Sequence, residues 1–352
     1  MKSIRTLFLF VSLLTPIFMY GQTTSDFELV WSEEFNDTAK TVNAANWNFD
    51  VGGTGWGNQE LQYYTNRTDN ARVENGYLIL EAKKEVYTSY NLTCNYTSGR
   101  INTKAKASSL YGKIEARMSL PSGAGTWPAF WMMPEVNTYG NWPSSGEIDI
   151  MEHIGSDPTM ISMAVHTKDN NGTKGNNWYK RVYPGNIENQ FHTYGIEWEQ
   201  DAIRFYIDSV KQTTLWRNLS GTYTTWPFDK SFYVILNLAI GGKMGGTVND
   251  TIFDSPVKMA VDFVRIYKSK TAAINSTKAN SVKVYPTAFR DILTVATDET
   301  ASVIITDLAG RKSLTSNVTG LQNIDTSSLK TGVYLITIKQ KNNTSTFKVF
   351  KK

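Results

Sequence analysis

Cysteine, histidine and charged residues are all scarce in this chain. Its 352 residues include one cysteine and three histidines, and 19% of them are charged. A lone cysteine cannot form an internal disulfide, which excludes a disulfide scaffold and a cysteine metal cluster, and Cys94 is expected to be a small buried hydrophobe. Three histidines argue against a histidine-based zinc centre. With 41% hydrophobic and 12% aromatic residues, the chain can instead bury a sizeable core.

A long hydrophobic run is absent beyond the N-terminus. At the N-terminus, Lys2 and Arg5 precede the apolar stretch LFLFVSLLTPIFM, and the small residue Gly21 follows it. This pattern predicts a secretory signal peptide over 1–21, cleaved after Gly21. The alternative, a membrane anchor, needs a longer apolar segment, and no later stretch approaches about 18 apolar residues. We therefore expect no membrane span in the mature protein.

Tryptophan is missing from the last part of the chain, which differs in composition from the rest. All ten tryptophans lie between Trp31 and Trp226, and serine, threonine, asparagine and lysine dominate after that main region. The polar, aperiodic segment 269–281 is typical of a linker. It predicts a large domain over 22–268 and a small C-terminal domain over 282–352.

Acidic side chains are few in the C-terminal part. Residues 270–352 carry 12 Lys or Arg against 5 Asp or Glu. The whole chain carries +4 and the predicted signal peptide +2, which leaves residues 22–269 with a net charge of −5. An acidic main domain gives no reason to expect binding to nucleic acid or to strongly anionic polymers.

Helical periodicity is lacking as well, and short strand-like runs take its place. Several runs alternate apolar with polar residues, as half-buried antiparallel strands do, and turn residues separate them. The pattern predicts an all-β fold of two stacked antiparallel sheets, a sandwich or jelly roll, with a hairpin turn at Gln200-Asp201. The runs are GYLILEAKK (76–84), GKIEARMSL (112–120), TMISMAVHT (159–167), FHTYGIEWE (191–199), AIRFYIDSV (202–210), FYVILNLAI (232–240) and AVDFVRIYK (260–268).

The run GEIDIMEHIG, residues 146–155, holds three carboxylates in an otherwise apolar strand. Residues two apart share a face of a strand, so Glu147 and Asp149 point the same way. Strict alternation would then bury Glu152, which is costly without a partner. One extra residue, a β-bulge at Ile150-Met151, returns Glu152 to the carboxylate face, and we predict a bulge there.

The bulge makes Glu147 and Glu152 behave as i and i+4 on one face of a concave sheet. Their carboxyl groups could then approach to roughly 5–6 Å, near the spacing of retaining glycosidases rather than that of inverting ones. Crowding of three carboxylates should raise at least one pKa, which would keep a general acid protonated near neutral pH. One alternative is a solvated acidic face, which explains the charges but not the aromatic residues that flank the strand. The other is a calcium cluster, but calcium prefers flexible loops with backbone oxygens.

Trp127, Trp131 and Trp142 flank this strand in the sequence. Tryptophan faces suit sugar rings, and Trp127 and Trp131 are four residues apart, so both can project from one strand face. Most of the ten tryptophans are nevertheless expected to pack in the core. Core positions are predicted for Trp31, Trp47 and Trp198.

GEIDIMEHIG resembles the active-site signature of glycoside hydrolase family 16 in its bulged form, E-x-D-x-x-E. Other ordered motifs, among them GWGNQELQYYT (55–65), GTWPAFWMM (125–133) and WPFDKSFYVILNLAIGG (226–242), look like the laminarinase, or endo-1,3-β-glucanase, branch over about 30–268. The resemblance implies a concanavalin-like β-sandwich with a cleft on its concave face. It also implies retaining hydrolysis by double displacement, without a cofactor for catalysis.

The resemblance assigns roles to individual residues. Glu147 would be the nucleophile, Glu152 the general acid and then base, and Asp149 the residue that tunes the pair. For His166 a structural role at the end of a strand is the alternative, and Arg100 could instead be an ordinary ion-pair partner. The positions that match the family's sugar cleft are Asn58, Arg100, Trp127, Trp131, His166 and Asn237.

The family often carries a structural calcium ion away from the catalytic site. The matching positions here are Glu34 and Gly76, through backbone oxygens, and Asp262, through its carboxylate. One departure from the family stands at 241–247, GGKMGGT, where Met244 replaces a common tryptophan. This replacement affects the sugar-binding subsites far from the catalytic residues, and hence the fine specificity that the resemblance implies.

The C-terminal part has its own resemblance. Its motifs VYPTAFRD, DLAGRK and IDTSSLKTGVYLI look like the C-terminal sorting domain of the type nine secretion system, although YPTA replaces the usual YPNP. The resemblance implies a small β-sandwich used for export or surface attachment, with the secretion machinery as its partner. A carbohydrate-binding module is the alternative, which the lack of tryptophan disfavours.

Three functions remain open at this point. The first is a secreted endo-β-glucanase that cuts 1,3 links in laminarin-like glucans, and also mixed-linkage 1,3-1,4 glucan. The second is a non-catalytic β-glucan-binding protein on the same fold, which the presence of both Glu147 and Glu152 disfavours. The third is a hydrolase of another algal polysaccharide such as agar, which the GWGNQELQYYT motif disfavours.

Overall fold

Most of the chain is described by a computed structural model. The predicted signal peptide 1–21 and most of the predicted linker lie outside the described residues. Contacts divide the chain into two compact units, Met1–Lys270 and Thr271–Lys352. Among the described residues, no helix combines the length and hydropathy that a membrane crossing requires. The described residues are 26–36, 40–218, 220–270, 282–286, 288–341 and 344–352.

Strands account for nearly all regular structure in both units. Among its described residues, the first unit adds one short helix, α1 (Gly242–Gly245), and a 3-10 turn at Asp250–Asp254. The strands are β1 (Phe27–Glu33), β2 (Asn48–Phe49), β3 (Gln62–Tyr64), β4 (Ala71–Glu74), β5 (Tyr77–Ser89), β6 (Leu92–Ser98), β7 (Arg100–Asn102), β8 (Ser108–Ser109), β9 (Gly112–Ser119), β10 (Thr126–Pro134), β11 (Glu147–His153), β12 (Ile161–His166), β13 (Trp178–Val182), β14 (Phe191–Glu199), β15 (Ala202–Ile207), β16 (Val210–Trp216), β17 (Phe232–Ile240), β18 (Val257–Ser269), β19 (Lys283–Tyr285), β20 (Ala288–Phe289), β21 (Ile292–Asp307), β22 (Lys312–Asp325), β23 (Gly332–Lys339) and β24 (Thr344–Lys351).

Two sheets build the first unit. In its described part, a ten-stranded sheet runs β16-β15-β14-β9-β18-β5-β6-β3, with β1 beside β18 and β4 beside β5. An eight-stranded sheet runs β13-β12-β11-β10-β17-β7-β2, with β8 beside β17. Pairing is antiparallel except between β3 and β6. The predicted all-β fold of two sheets is confirmed, and so is the hairpin turn, because Glu199 of β14 pairs with Ala202 of β15.

The core of this unit joins apolar side chains from both sheets. Leu80 and Ile196 from the ten-stranded sheet share one cluster with Phe130, Ile148 and Leu236 from the eight-stranded sheet, and all five are fully buried. Each such side chain contributes about 1.5–3 kcal/mol through the hydrophobic effect. The core thus holds the two sheets face to face, and the outer face of the eight-stranded sheet lies outside it.

Several single-residue expectations can be compared with this core. Trp47 and Trp198 are buried in it as predicted, whereas Trp31 is only partly buried and packs against its edge. Cys94 is a free, buried thiol, as expected for a small hydrophobe.

The second unit is one six-stranded sheet among its described residues. Its order is β19-β21-β23-β24-β20, with β22 beside β21. Val303, Ile305 and Ile336 are fully buried in a cluster that belongs to this unit alone. The C-terminal part is therefore a small β-domain with its own core.

Candidate active site

A β-bulge interrupts β11, as the sequence predicts. β11 and β12 pair as far as Asp149 and resume at Glu152, so that Ile150 and Met151 face Met163 alone. Both Ile150 and Met151 point into the core and are buried there. Burial of two consecutive apolar side chains is the physical reason for the bulge, because a regular strand would bury Glu152 in place of one of them.

Trp127 of β10 holds Glu152. The two strands pair directly, and the indole Nε1–H of Trp127 donates a hydrogen bond to Oε1 of Glu152 at 3.2 Å. Burial of the carboxyl group, together with the negative charge of Asp149, raises the pKa of Glu152 to about 8. Glu152 is therefore protonated at neutral pH and able to act as a general acid.

Asp149 lies between the two glutamates and is almost fully buried. Burial and the charge of Glu147 raise the pKa of Asp149 to about 7. Its Oδ2 lies 3.3 Å from Nε2 of His166, the strand partner of Glu147. Glu147 itself accepts a hydrogen bond from the indole Nε1–H of Trp142. The predicted trio thus shares one face, with an aromatic donor at each outer member.

His166 receives a second contact from the loop after β12. The backbone N–H of Gly172 donates to Nδ1 of His166 at 3.0 Å. Burial acts to lower the pKa of His166, but the carboxylates of Asp149, Glu147 and Glu152 outweigh it and raise the pKa to about 9. The Gly172 amide opposes this effect, because Nδ1 can accept its hydrogen bond only while unprotonated. The amide therefore favours the tautomer with its proton on Nε2, facing Asp149.

A metal ion is one occupant that this cluster could hold. Glu147, Asp149 and His166 each offer one ligand atom, and these atoms lie within 4.8 Å of one another. Carboxyl groups this close can also share a proton, and the charge of Glu147 adds to burial in raising the pKa of Asp149.

Trp56, Arg100 and Trp131 stack together beside the carboxylates, and these three residues are called the aromatic wall below. The guanidinium of Arg100 lies 4.5 Å from the ring centre of Trp56 and 4.8 Å from that of Trp131. Its Nε also pairs with the Asp50 carboxylate at 2.8 Å. Trp131 in turn donates from Nε1 to Oδ1 of Asn237 at 2.7 Å. Arg100 is therefore both an ion-pair partner and part of the aromatic wall.

Asn58 lies in the loop before β3 and contacts α1, not the carboxylate trio. Its carbonyl accepts from the backbone N–H of Lys243 at 2.8 Å. Two residues further along, Glu60 is a buried carboxyl group that accepts hydrogen bonds from Gln62 and Tyr64. Sequence reasoning missed Glu60 and Tyr64 as site residues, although the motif GWGNQELQYYT contains both and Glu60 is its only acidic residue.

The three residues predicted to bind calcium belong to the ten-stranded sheet or its turns. Both carboxylate oxygens of Glu34 accept from Arg265 at 2.8 Å, which leaves its backbone carbonyl for a cation. Gly76 occupies a turn with φ of 82°, and Oδ2 of Asp262 accepts from Arg117 at 2.7 Å. The oxygen donors suit Ca²⁺, but a cation would share the Asp262 carboxylate with Arg117.

The C-terminal unit matches a known domain family. Residues 283–352 match the secretion system C-terminal sorting domain. The predicted export domain is confirmed, and it indicates type nine secretion to the cell surface or the medium.

The chain is similar to several known proteins over 69–75% of its length. It is 43% identical over 282 residues to the β-glucanase of Rhodothermus marinus, covering 75% of this chain and 94% of that one. The X-ray structure of the laminarinase from Rhodothermus marinus matches with a TM-score of 0.65 and 44% identity, over 69% of this chain and 97% of that one. SCLam, a non-specific endo-β-1,3(4)-glucanase, matches with a TM-score of 0.65 and 39% identity, over 70% and 93% of the two chains.

The family model that matches the carboxylate trio and its surroundings is that of the glycosyl hydrolases family 16. Glycoside hydrolases of this family need no cofactor for catalysis, in agreement with a site built from carboxyl groups. The matched segment, residues 58–258, spans more than half of the chain and includes the whole of β11, which holds both Glu147 and Glu152. The chain therefore belongs to the glycosyl hydrolases of family 16.

Proposed function

We propose that the protein is a secreted, retaining endo-β-glucanase that hydrolyses 1,3-β-glucosidic links in laminarin-like glucans. The observation that carries the proposal is the bulge of β11, which supports a common face for Glu147, Asp149 and Glu152. The similarity to a laminarinase and to an endo-β-1,3(4)-glucanase supports the substrate, and extends it to mixed-linkage glucan.

The first chemical step forms a covalent sugar ester. A carboxylate oxygen of Glu147 attacks the anomeric carbon, the bond to the leaving glycosidic oxygen breaks, and the proton of Glu152 passes to that oxygen. The high pKa of Glu152 supports this role, because the group enters the step protonated. The Trp142 indole bond to Glu147 orients the nucleophile for attack.

The second step hydrolyses the ester. Glu152, now a carboxylate, takes a proton from water as the water oxygen attacks the anomeric carbon, and the bond to Glu147 breaks. Both glutamates return to their starting protonation states. Burial and the charge of Glu147 raise the pKa of Asp149 to about 7, and an oxygen of each group lies within 4.8 Å of the other, so a proton on Asp149 can stabilise the carboxylate that Glu147 becomes on leaving.

Reducing-sugar release from purified protein tests the proposal. Activity is expected on laminarin and curdlan, weaker or equal activity on mixed-linkage glucan, and none on agarose. A Glu147→Ser variant should bind laminarin without releasing sugar. Cleavage of agarose alone would support the galactan alternative, and binding without cleavage by the wild type would support the glucan-binding alternative.

The organisation of the chain is also part of the proposal. We propose a signal peptide over 1–21, a catalytic domain over 22–268, a linker over 269–281 and a sorting domain over 282–352. The N-terminus and mass of the protein recovered from the medium or cell surface test these boundaries. A structural Ca²⁺ at Glu34, Gly76 and Asp262 completes the proposal, supported by the oxygen-only donor set.

A further inference from the structure

A chain of hydrogen bonds leads from the aromatic wall into the protein, away from the catalytic trio. Nε1 of Trp131 donates to Oδ1 of Asn237 at 2.7 Å, and Nδ2 of Asn237 donates to the Tyr64 hydroxyl at 3.0 Å. The Tyr64 hydroxyl lies 3.2 Å from Oε2 of Glu60. Tyr64 is fully buried, and Asn237 and Glu60 nearly so. These four residues are called the Trp131–Glu60 chain below.

The direction of every bond in the Trp131–Glu60 chain is fixed by its first member. An indole N–H can only donate, so the Asn237 oxygen faces Trp131 and its NH₂ group faces Tyr64. The Tyr64 oxygen accepts that bond, and its own proton is left to be donated to Glu60. The chain therefore runs one way and requires an acceptor at its buried end.

Glu60 is that acceptor, and a second donor converges on the same oxygen. The backbone N–H of Ile240 donates to Oε1 of Gln62 at 2.7 Å, which turns the NH₂ group of Gln62 toward Glu60. Nε2 of Gln62 then donates to Oε2 of Glu60 at 2.7 Å. Buried polar groups whose partners are all defined in this way specify one arrangement of their neighbours.

Tyr64 also supports the other side of the aromatic wall. Its ring meets Trp56 edge to face, with ring centres 5.4 Å apart and planes at 61°. Trp56 and Trp131 in turn sandwich the Arg100 guanidinium, at 4.5 Å and 4.8 Å from the two ring centres. One buried residue thus contacts Trp56 directly and Trp131 through Asn237.

We propose that Tyr64 and Glu60 are positioning residues, which hold the wall of Trp56, Arg100 and Trp131 in the orientation that binds the glucan chain. The inference rests on the proposed function, because that function supplies the sugar that the wall would bind. Neither residue touches the reacting atoms. Their loss should therefore weaken substrate binding far more than it slows the chemical steps.

The test is a Tyr64→Phe variant, which keeps the ring against Trp56 and removes only the hydroxyl. We expect KM for laminarin to rise about tenfold, equivalent to about 1.4 kcal/mol, with a much smaller change in kcat. Tyr63→Phe is the matched control. It removes a hydroxyl from the adjacent buried tyrosine, whose ring packs on Tyr87 with centres 5.0 Å apart, and it should leave KM unchanged.

A Glu60→Met variant tests the same chain from its buried end, and covers the case in which Tyr64→Phe does not fold. It should also raise KM for laminarin. The KM of the double variant should be no higher than that of the more severe single variant, because both substitutions break the same chain of hydrogen bonds. Wild-type activity on laminarin is measured first, since its absence would refute the proposed function. An active wild type with unchanged KM in both variants, or additive effects in the double variant, would refute the positioning role alone.

Discussion

Replacing Trp127 with phenylalanine should move the alkaline limit of activity upward. Glu152 must be protonated to act as general acid, so kcat/KM should fall as the pH rises through its pKa of about 8. The Trp127 N–H stabilises the charged form of Glu152, at a donor–acceptor distance of 3.2 Å. Without this donor the carboxylate is less stable, and the group should hold its proton to higher pH.

The size of the shift follows from the energy of the bond. Hydrogen bonds to charged groups contribute about 1.5–3 kcal/mol, and one pKa unit corresponds to about 1.36 kcal/mol. The Trp127 bond is long for its type, so the lower end applies and the expected shift is about one pH unit. The alkaline limb should therefore move from about pH 8 to about pH 9 in Trp127→Phe.

Two further variants show whether the shift has this cause. Asp149→Asn removes a negative charge that raises the pKa of Glu152, so its limb should move to lower pH. Trp226→Phe is the matched control, because it removes an indole bond of 3.0 Å to the carbonyl of Gln200, away from the carboxylates. Profiles of kcat/KM against pH on laminarin measure all three. A limb that stays in place in Trp127→Phe, or moves down, would refute the assignment of Glu152.

Three other predictions follow from the site and its surroundings. Between pH 4.5 and about 8 the folded protein binds one more proton at Glu152 than the unfolded chain does, so the free energy of unfolding falls as pH rises through this window. Urea denaturation should show a smaller fall of this free energy with pH in Glu152→Gln than in the wild type. An equal fall in the two proteins would contradict the raised pKa. In Gly172→Ala the added Cβ would lie 3.1 Å from Cε1 of His166, so the imidazole should shift from Asp149 and kcat on laminarin should drop several-fold; wild-type kcat would contradict this. If Asp262 binds Ca²⁺, EDTA should lower the melting temperature and Asp262→Asn should abolish that effect, whereas a melting temperature insensitive to EDTA in the wild type would remove the calcium site.

The bulge of β11 could be predicted because the carboxylates of this strand do not all keep to its two-residue alternation. Glu147 and Asp149 obey the two-residue alternation and Glu152 does not, and a bulge resolves the conflict at the cost of one unpaired residue. The core demands two consecutive apolar side chains at Ile150 and Met151, which fixes where the bulge falls. Local periodicity was therefore enough to place three carboxylates on one face.

The aromatic wall could not be predicted in the same way. Trp56, Arg100 and Trp131 come from a loop and two strands, and their stacking depends on how those elements meet in the sheet. The link between Tyr64 and the wall carries no periodic signal, because the hydrogen-bond partners of Tyr64 are Asn237 on β17 and Glu60 in the loop before β3. The Gly172 amide at His166 is a backbone contact, which a side-chain pattern cannot reveal.

The stereochemistry of the first product tests the central claim most directly. The bulge is proposed to bring Glu147 and Glu152 to the separation of a nucleophile and an acid/base residue, which gives two inversions at the anomeric carbon and net retention. Proton NMR of laminarin hydrolysis, recorded before mutarotation, distinguishes the two outcomes. The account predicts that the β-anomer of the new reducing end appears first. Initial release of the α-anomer would contradict it, because a single displacement by water requires carboxyl groups held farther apart.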